Sequence, residues 1–162
     1  MSDQPKIDVA SAHRYFSTKC FNGAWDLMDR NDRTEEEDLE MLHRAISGLW
    51  HWTQREDCTD TNRSISLWQV SRIYSLLGQA DNARKYAELS RAASQSEGVE
   101  PFYLGYAYEA LARAEALAGR ADLVKELLEM GKSLAGQVAD VEEKNALIRD
   151  LESIKPSIPG AR

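Results

Sequence analysis

The sequence has little proline and glycine and no long hydrophobic run. Its 162 residues include 4 prolines and 9 glycines, too few for a collagen-like chain or a flexible linker. No uncharged apolar segment approaches the ~20 residues that span a bilayer, and the polar N-terminus lacks the hydrophobic region of a signal peptide. We therefore expect a soluble, cytoplasmic protein that has no membrane partner.

Cysteine and positive charge are also scarce. Cys20 and Cys58 occur in unrelated contexts without a CxxC pair, so we expect two reduced thiols and no structural zinc. The net charge of −7 argues against nucleic acid as a partner. Within this acidic chain, residues 61–95 contain five basic residues against two acidic ones. This basic segment follows the strongly acidic residues 31–60.

What the sequence does contain is helical periodicity. Apolar residues recur at spacings of three and four, and no segment alternates with the two-residue period of a strand. Thr34 and Glu37 have the form of a capping box, and Pro101 suits a first helical turn. We predict an all-α protein with about seven antiparallel helices, at about residues 9–30, 34–52, 64–78, 81–95, 101–119, 122–135 and 139–154. Residues 1–155 form one predicted domain, and residues 156–162 a flexible tail.

Two of the predicted helix pairs carry the same pattern of residues, 41 positions apart. The first copy comprises Leu67, Val70, Ser71, Tyr74, Gly78, Ala83 and Ala87, and the second comprises Tyr108, Leu111, Ala112, Glu115, Gly119, Val124 and Leu128. A small residue such as Ser71 or Ala112 lets the two helices of a pair approach closely, and a glycine closes the turn between them. A third, weaker copy comprises Cys20, Gly23, Ala24 and Leu27.

This pattern resembles the tetratricopeptide repeat, whose first helix carries a large residue, an apolar and small pair and a tyrosine. The resemblance covers roughly residues 15–135, and the copies are 47 and then 41 residues apart where the family has 34. It implies three helix hairpins in a right-handed superhelix, followed by a C-terminal helix that caps the last apolar face. It also implies a non-enzymatic module that binds a peptide or protein through its concave face.

In tetratricopeptide proteins, residues at fixed offsets from the small residue face the concave surface. The equivalent positions here form the predicted ligand groove, namely Phe21, Trp25, Trp68, Arg72, Glu109 and Arg113. Arginines beside tryptophan rings suit an acidic segment of a partner, because a guanidinium binds a carboxylate through two hydrogen bonds. The competing interpretation is that Arg72 and Arg113 pair within the protein, with acids such as Glu109 or Glu88. In that case both tryptophans belong to the core.

The sequence contains no catalytic motif, so we predict no enzymatic activity, no metal and no cofactor. None of the histidines, His13, His43 and His51, is three or four residues from another, the separation at which helix neighbours share a metal. A second hypothesis is a small-molecule sensor or enzyme whose pocket in the N-terminal half is built from His13, Asn22, Trp25, His43, His51 and Arg72. A third is a structural protein that self-associates into a homo-oligomer.

Overall fold

The structure is a computed structural model that describes residues 7–155, and these residues form seven α-helices and no strand. The helices are α1 (Val9–Met28), α2 (Glu35–Thr53), α3 (Asp60–Leu76), α4 (Ala80–Ser94), α5 (Pro101–Leu117), α6 (Ala121–Ala135) and α7 (Val141–Glu152). The predicted all-α fold of seven helices is confirmed. Within the described range, no helix is long and apolar enough to cross a membrane. The predicted tail, residues 156–162, lies outside the described residues.

The chain divides into two compact units, with the boundary between Cys58 and Thr59. The N-terminal unit contains α1 packed against α2. The C-terminal unit contains the α3–α4 and α5–α6 hairpins, in which α5 also packs against α3 and α4, and α7 packs against α5 and α6. The predicted single domain and the superhelical arrangement of the hairpins stay predictions.

The α1–α2 hairpin of the N-terminal unit is built on a close approach of its helices. Gly48 on α2 lies against the backbone of α1, where an added Cβ atom would be 3.1 Å from the backbone nitrogen of Phe21. A side chain at this position would therefore push the two helices apart. Ala24, the small residue of the third repeat copy, is fully buried, as its predicted packing role requires.

Local capping interactions set the starts of two helices. Thr34 Oγ1 accepts a hydrogen bond from Glu37 N (3.2 Å), and Glu37 Oε2 accepts one from Thr34 N (2.9 Å), which confirms the predicted capping box. Helix α3 begins about one turn earlier than predicted, at Asp60. The reason is a second reciprocal cap, in which Thr59 Oγ1 accepts from Asn62 N (3.2 Å) and Asn62 Oδ1 accepts from Thr59 N (3.0 Å).

The two hairpins of the C-terminal unit are structural copies at the predicted interval of 41 residues. Helices α3 and α5 are both 17 residues long, and helices α4 and α6 are both 15. Each turn contains a glycine with positive φ, 71° at Gly78 and 72° at Gly119, a conformation that residues with a Cβ rarely adopt. In both turns the next residue donates a backbone hydrogen bond to the carbonyl five residues earlier, at 2.9 and 3.0 Å.

The small residues of these two copies lie at the contacts between helices. Ser71 and Ala112 are fully buried. Ser71 Oγ donates a hydrogen bond to the carbonyl of Ala83 on the facing helix (2.8 Å), which satisfies its buried hydroxyl. Ala112 packs in an apolar cluster that includes Val124 of α6. The predicted packing role of both residues is confirmed.

Helix α7 covers the last hairpin. Its fully buried residues Leu147 and Leu151 lie over glycines of α5 and α6. An added Cβ atom would be 2.5 Å from Leu147 Cδ2 at Gly105 and 2.7 Å from Leu151 Cδ2 at Gly131, so each glycine provides room for a leucine. Helix α7 thus buries an apolar face of the last hairpin, as predicted for a capping helix.

Replacement of Ala112 by leucine tests this packing. Ala112 is fully buried among apolar side chains, and extra methylene groups in a packed core are destabilising, so we expect Ala112→Leu to lower the free energy of unfolding by about 1–3 kcal/mol. The matched control is Ala92→Leu, because Ala92 is exposed on α4 and its replacement should change stability by less than about 0.5 kcal/mol. Denaturant unfolding of the full chain measures both variants, and equal stabilities would contradict the repeat register.

Candidate functional site

Four of the six predicted groove residues lie on two helices that pack together. Trp68 and Arg72 are one turn apart on α3, and Glu109 and Arg113 are one turn apart on α5. Because α3 and α5 are in contact within the C-terminal unit, these four side chains lie in one region of that unit. At the 41-residue interval, Trp68 corresponds to Glu109 and Arg72 corresponds to Arg113.

The other two predicted groove residues belong to the N-terminal unit. Phe21 and Trp25 lie one turn apart on α1, with their ring centroids 6.5 Å apart in an edge-to-face arrangement. Both side chains are half-buried. A single groove that contains all six residues stays a prediction.

The buried carboxylate of Glu109 joins α3 to α5. Glu109 is 1% exposed and accepts hydrogen bonds from Trp68 Nε1 (3.0 Å) and from Arg113 Nε. A buried charge requires such partners, because isolation from water would otherwise cost several kcal/mol. The two donors therefore have fixed positions, and the indole N–H of Trp68 is engaged inside the protein.

Two further contacts extend this network to α7. The Trp68 ring packs edge-to-face against Tyr106 with centroids 5.4 Å apart, and the Tyr106 hydroxyl donates to Asp150 Oδ2 (2.8 Å). Burial, and next this hydrogen bond to a carboxylate, raise the pKa of Tyr106 well above its ordinary value. Arg113 Nη2 donates to the Asp150 carbonyl (3.2 Å) and to Ser153 Oγ (2.9 Å). For Arg113, the internal pairing considered from the sequence is thus present.

Arg72 differs from its equivalent residue Arg113. Within residues 7–155, the half-buried Arg72 guanidinium has no hydrogen-bond or ion-pair partner. Burial and the nearby charge of Arg113 lower the pKa of Arg72 from its ordinary value, although Glu109 and Asp150 act in the opposite direction. An arginine nevertheless keeps its proton in proteins, so the site holds an unneutralised cation that is partly removed from water.

Arg72 lines a cavity of about 260 Å³, which we call the Arg72 pocket. Its lining residues come from α3, from α5 and from the segment that follows α7, and they are Arg72, Ser75, Arg113, Ala116, Leu117, Ser153, Ile154 and Lys155. The Ser75 hydroxyl is buried and has no hydrogen-bond partner among the described residues. The pocket therefore combines cations with an apolar wall, a combination that suits an anion carried on an apolar body.

Six lining residues were not among the predicted site residues, and three of these six are polar, namely Ser75, Ser153 and Lys155. Ser75 lies three residues after Arg72 on α3, so helical periodicity places both residues on the same face of the helix. Ser153 and Lys155 reach the pocket only because α7 packs on α5 and α6, a contact that no local pattern specifies.

A larger cavity of about 420 Å³ lies in the C-terminal unit between the start of α5 and the connection from α6 to α7. Its lining includes the acidic residues Glu100, Asp140 and Glu143 and the ring of Phe102. Asp140 is engaged as the N-cap of α7, where it accepts a hydrogen bond from Glu143 N (2.9 Å). None of the predicted site residues lines this cavity.

Two of the three histidines meet in the N-terminal unit. His13 Nδ1 on α1 and His51 Nδ1 on α2 are 2.8 Å apart, whereas His43 is exposed on α2. The sequence places them 38 residues apart, so spacing along one helix could not predict their contact. Among the described residues, no group of three or more metal-ligating side chains is present.

The described residues define an all-helical protein whose neighbouring helices pack as hairpins and whose C-terminal unit contains a basic pocket. Comparisons with models of protein families, with curated proteins and with solved structures find no match. The likeness to tetratricopeptide repeats therefore remains a resemblance in residue pattern.

Replacement of Glu109 by glutamine tests the central carboxylate. The neutral amide keeps the size of the side chain but removes the charge that pairs with Arg113, so we expect a loss of about 1.5–3 kcal/mol in the free energy of unfolding. The control is Glu88→Gln, because Glu88 forms an exposed pair with Arg91 (2.5 Å) and its neutralisation should cost less than about 0.5 kcal/mol. Chemical denaturation measures both. If the two losses match, Glu109 does not organise the site.

Proposed function

We propose that this chain is a non-enzymatic, tetratricopeptide-like module that binds an acidic segment of a peptide or protein. The structural copies at 41 residues support a helical repeat, and the contact between α3 and α5 places the first helices of two hairpins side by side. The resemblance assigns the residues on these first helices to the concave face. Arg72 and Arg113 are two of them, and both line the Arg72 pocket.

The observation that carries this proposal is the unpartnered guanidinium of Arg72 within residues 7–155. A cation that is partly removed from water and lies near a second arginine is destabilised until an anion approaches it. A carboxylate of a partner would relieve this cost and would accept two hydrogen bonds from the guanidinium.

Charge and size favour a single carboxylate as the bound group. The positive charges of Arg72, Arg113 and Lys155 face two negative neighbours, Glu109 and Asp150, which leaves an excess of one positive charge. A carboxylate neutralises this excess, whereas a phosphate dianion would exceed it. The aliphatic wall of the pocket suits the methylene groups that carry a glutamate or aspartate carboxylate.

The groups that line the pocket support binding rather than catalysis. The described lining residues include no carboxylate or imidazole that could act as a general base. Ser75 has no neighbouring base in the pocket that would activate its hydroxyl as a nucleophile. The lining groups can thus hold an anion and give it no reacting partner.

Arg72→Ala tests the proposal against an acidic probe. The probe is an acetylated and amidated hexapeptide that alternates glutamate and leucine, and its matched control alternates glutamine and leucine. Charge-assisted hydrogen bonds contribute roughly 1.5–3 kcal/mol, so we expect the variant to bind the glutamate peptide about ten- to a hundredfold more weakly than wild type. Isothermal titration calorimetry measures the affinities. Binding by wild type should weaken as salt rises, because a partly exposed ion pair is screened.

The matched variant is Arg63→Ala, which removes an arginine from the same helix. Arg63 is exposed and pairs with Asp60 at 3.4 Å, outside the pocket, so its loss should leave the affinity within about twofold of wild type. The proposal is wrong if wild type binds the glutamate and glutamine peptides equally. It is also wrong if Arg72→Ala lowers the melting temperature but leaves the affinity of the folded protein unchanged.

A further inference from the structure

The contact between His13 and His51 joins the two helices of the N-terminal unit. His13 lies near the start of α1 and His51 near the end of α2, so the contact is at the end of the hairpin opposite the α1–α2 loop. Their Nδ1 atoms are 2.8 Å apart, which is the separation of a hydrogen bond. This contact is independent of the Arg72 pocket, which belongs to the C-terminal unit.

Proton counting limits the states in which this contact can exist. One Nδ1 must carry a hydrogen and donate it, while the other must offer a lone pair and accept it. When both rings are protonated, both Nδ1 atoms carry hydrogens and both rings are cationic. The two N–H groups would then face each other at 2.8 Å, so the rings must separate.

Aromatic rings surround the two histidines. The Phe16 ring stacks on His51 with centroids 5.4 Å apart, and the Trp50 ring contacts His13 at 5.3 Å and His51 at 4.9 Å, both edge-to-face. Phe16 and Trp50 are 43% and 54% exposed, so they form a partly open aromatic surface around the pair. Separation of the histidines would rearrange this surface.

The charge of one histidine opposes a proton on the other. Arg14 follows His13 on α1, and Arg55, which follows α2, is paired with Asp57 at 2.7 Å. Among the described residues, the charge that acts on His51 is that of His13. Burial, and then this charge, lower the pKa of His51 from its ordinary value.

We propose that the His13–His51 contact is an acid-sensitive clasp on the open end of the α1–α2 hairpin. Near neutral pH a single hydrogen lies between the two Nδ1 atoms, and this hydrogen bond holds the helix ends together. As the pH falls through the histidine range, around 6.5, the unfolded chain takes up protons more readily than the clasped pair does, so the stability of the hairpin decreases. Acid therefore loosens this end of the hairpin and exposes more of the surrounding aromatic surface.

The test compares the wild-type chain with His13→Asn and with the control His43→Asn. Asparagine removes the titrating ring but keeps a polar group near the position of Nδ1, and His43 is exposed and outside the pair. Each protein is unfolded with denaturant at about pH 7.5 and about pH 5.5, in the presence of a chelator that removes metal ions. Acidification should raise the unfolding constants of wild type and His43→Asn more than that of His13→Asn, because only the first two proteins retain the pair in which the charge of one ring opposes a proton on the other.

Nitrogen NMR of histidine-labelled wild type supplies a readout that does not depend on any variant. Near pH 7.5, one of the two Nδ1 atoms should be protonated and the other not, and this difference should disappear when both rings are protonated in acid. The clasp is wrong if both Nδ1 atoms have the same protonation state near neutral pH. It is also wrong if His13→Asn and wild type respond equally to acid, or if His13→Asn leaves the titration midpoint of His51 unchanged.

Discussion

The buried carboxylate of Glu109 is the constraint on which the C-terminal unit depends. A carboxylate that is 1% exposed must be hydrogen-bonded, and the structure supplies Trp68 from α3 and Arg113 from α5. These bonds fix the relative position of the two helices and direct the remaining donors of Arg113 toward Asp150 at the end of α7. The polar network therefore joins α3, α5 and α7, and the apolar contacts of α7 add α6 to this assembly.

The repeat explains why only one of the two equivalent arginines is neutralised. Positions 68 and 109 are equivalent at the 41-residue interval, and so are positions 72 and 113. The residue one turn before Arg113 is an acid, whereas the residue one turn before Arg72 is a tryptophan that donates to that same acid. One substitution between two copies thus produces both the bond that joins the helices and the cation that lines the pocket. The proposed binding of a carboxylate follows from this asymmetry.

The parts of the structure that depend on local chemistry could be predicted, and those that depend on distant contacts could not. Periodicity, the Thr34 cap and the turn glycines specify the helices within a few residues, and the repeat correctly places Ser71 and Ala112 inside. The start of α3 was missed because its cap uses asparagine where a capping box usually has glutamate or glutamine. Lys155 in the pocket and the contact of His13 with His51 depend on helix packing, which sequence spacing does not encode.

The most direct test of this account is NMR of the arginine side chains in the free and peptide-bound protein. The account predicts that Arg113 Nε–H exchanges slowly with water in the free protein, because Glu109 accepts its hydrogen, and that Arg72 Nε–H exchanges rapidly. Addition of the glutamate peptide should slow the exchange of Arg72 Nε–H and leave that of Arg113 nearly unchanged. Slow exchange at Arg72 before any ligand is added, or no change there when the peptide binds, would contradict the claim that Arg72 is held available for a carboxylate.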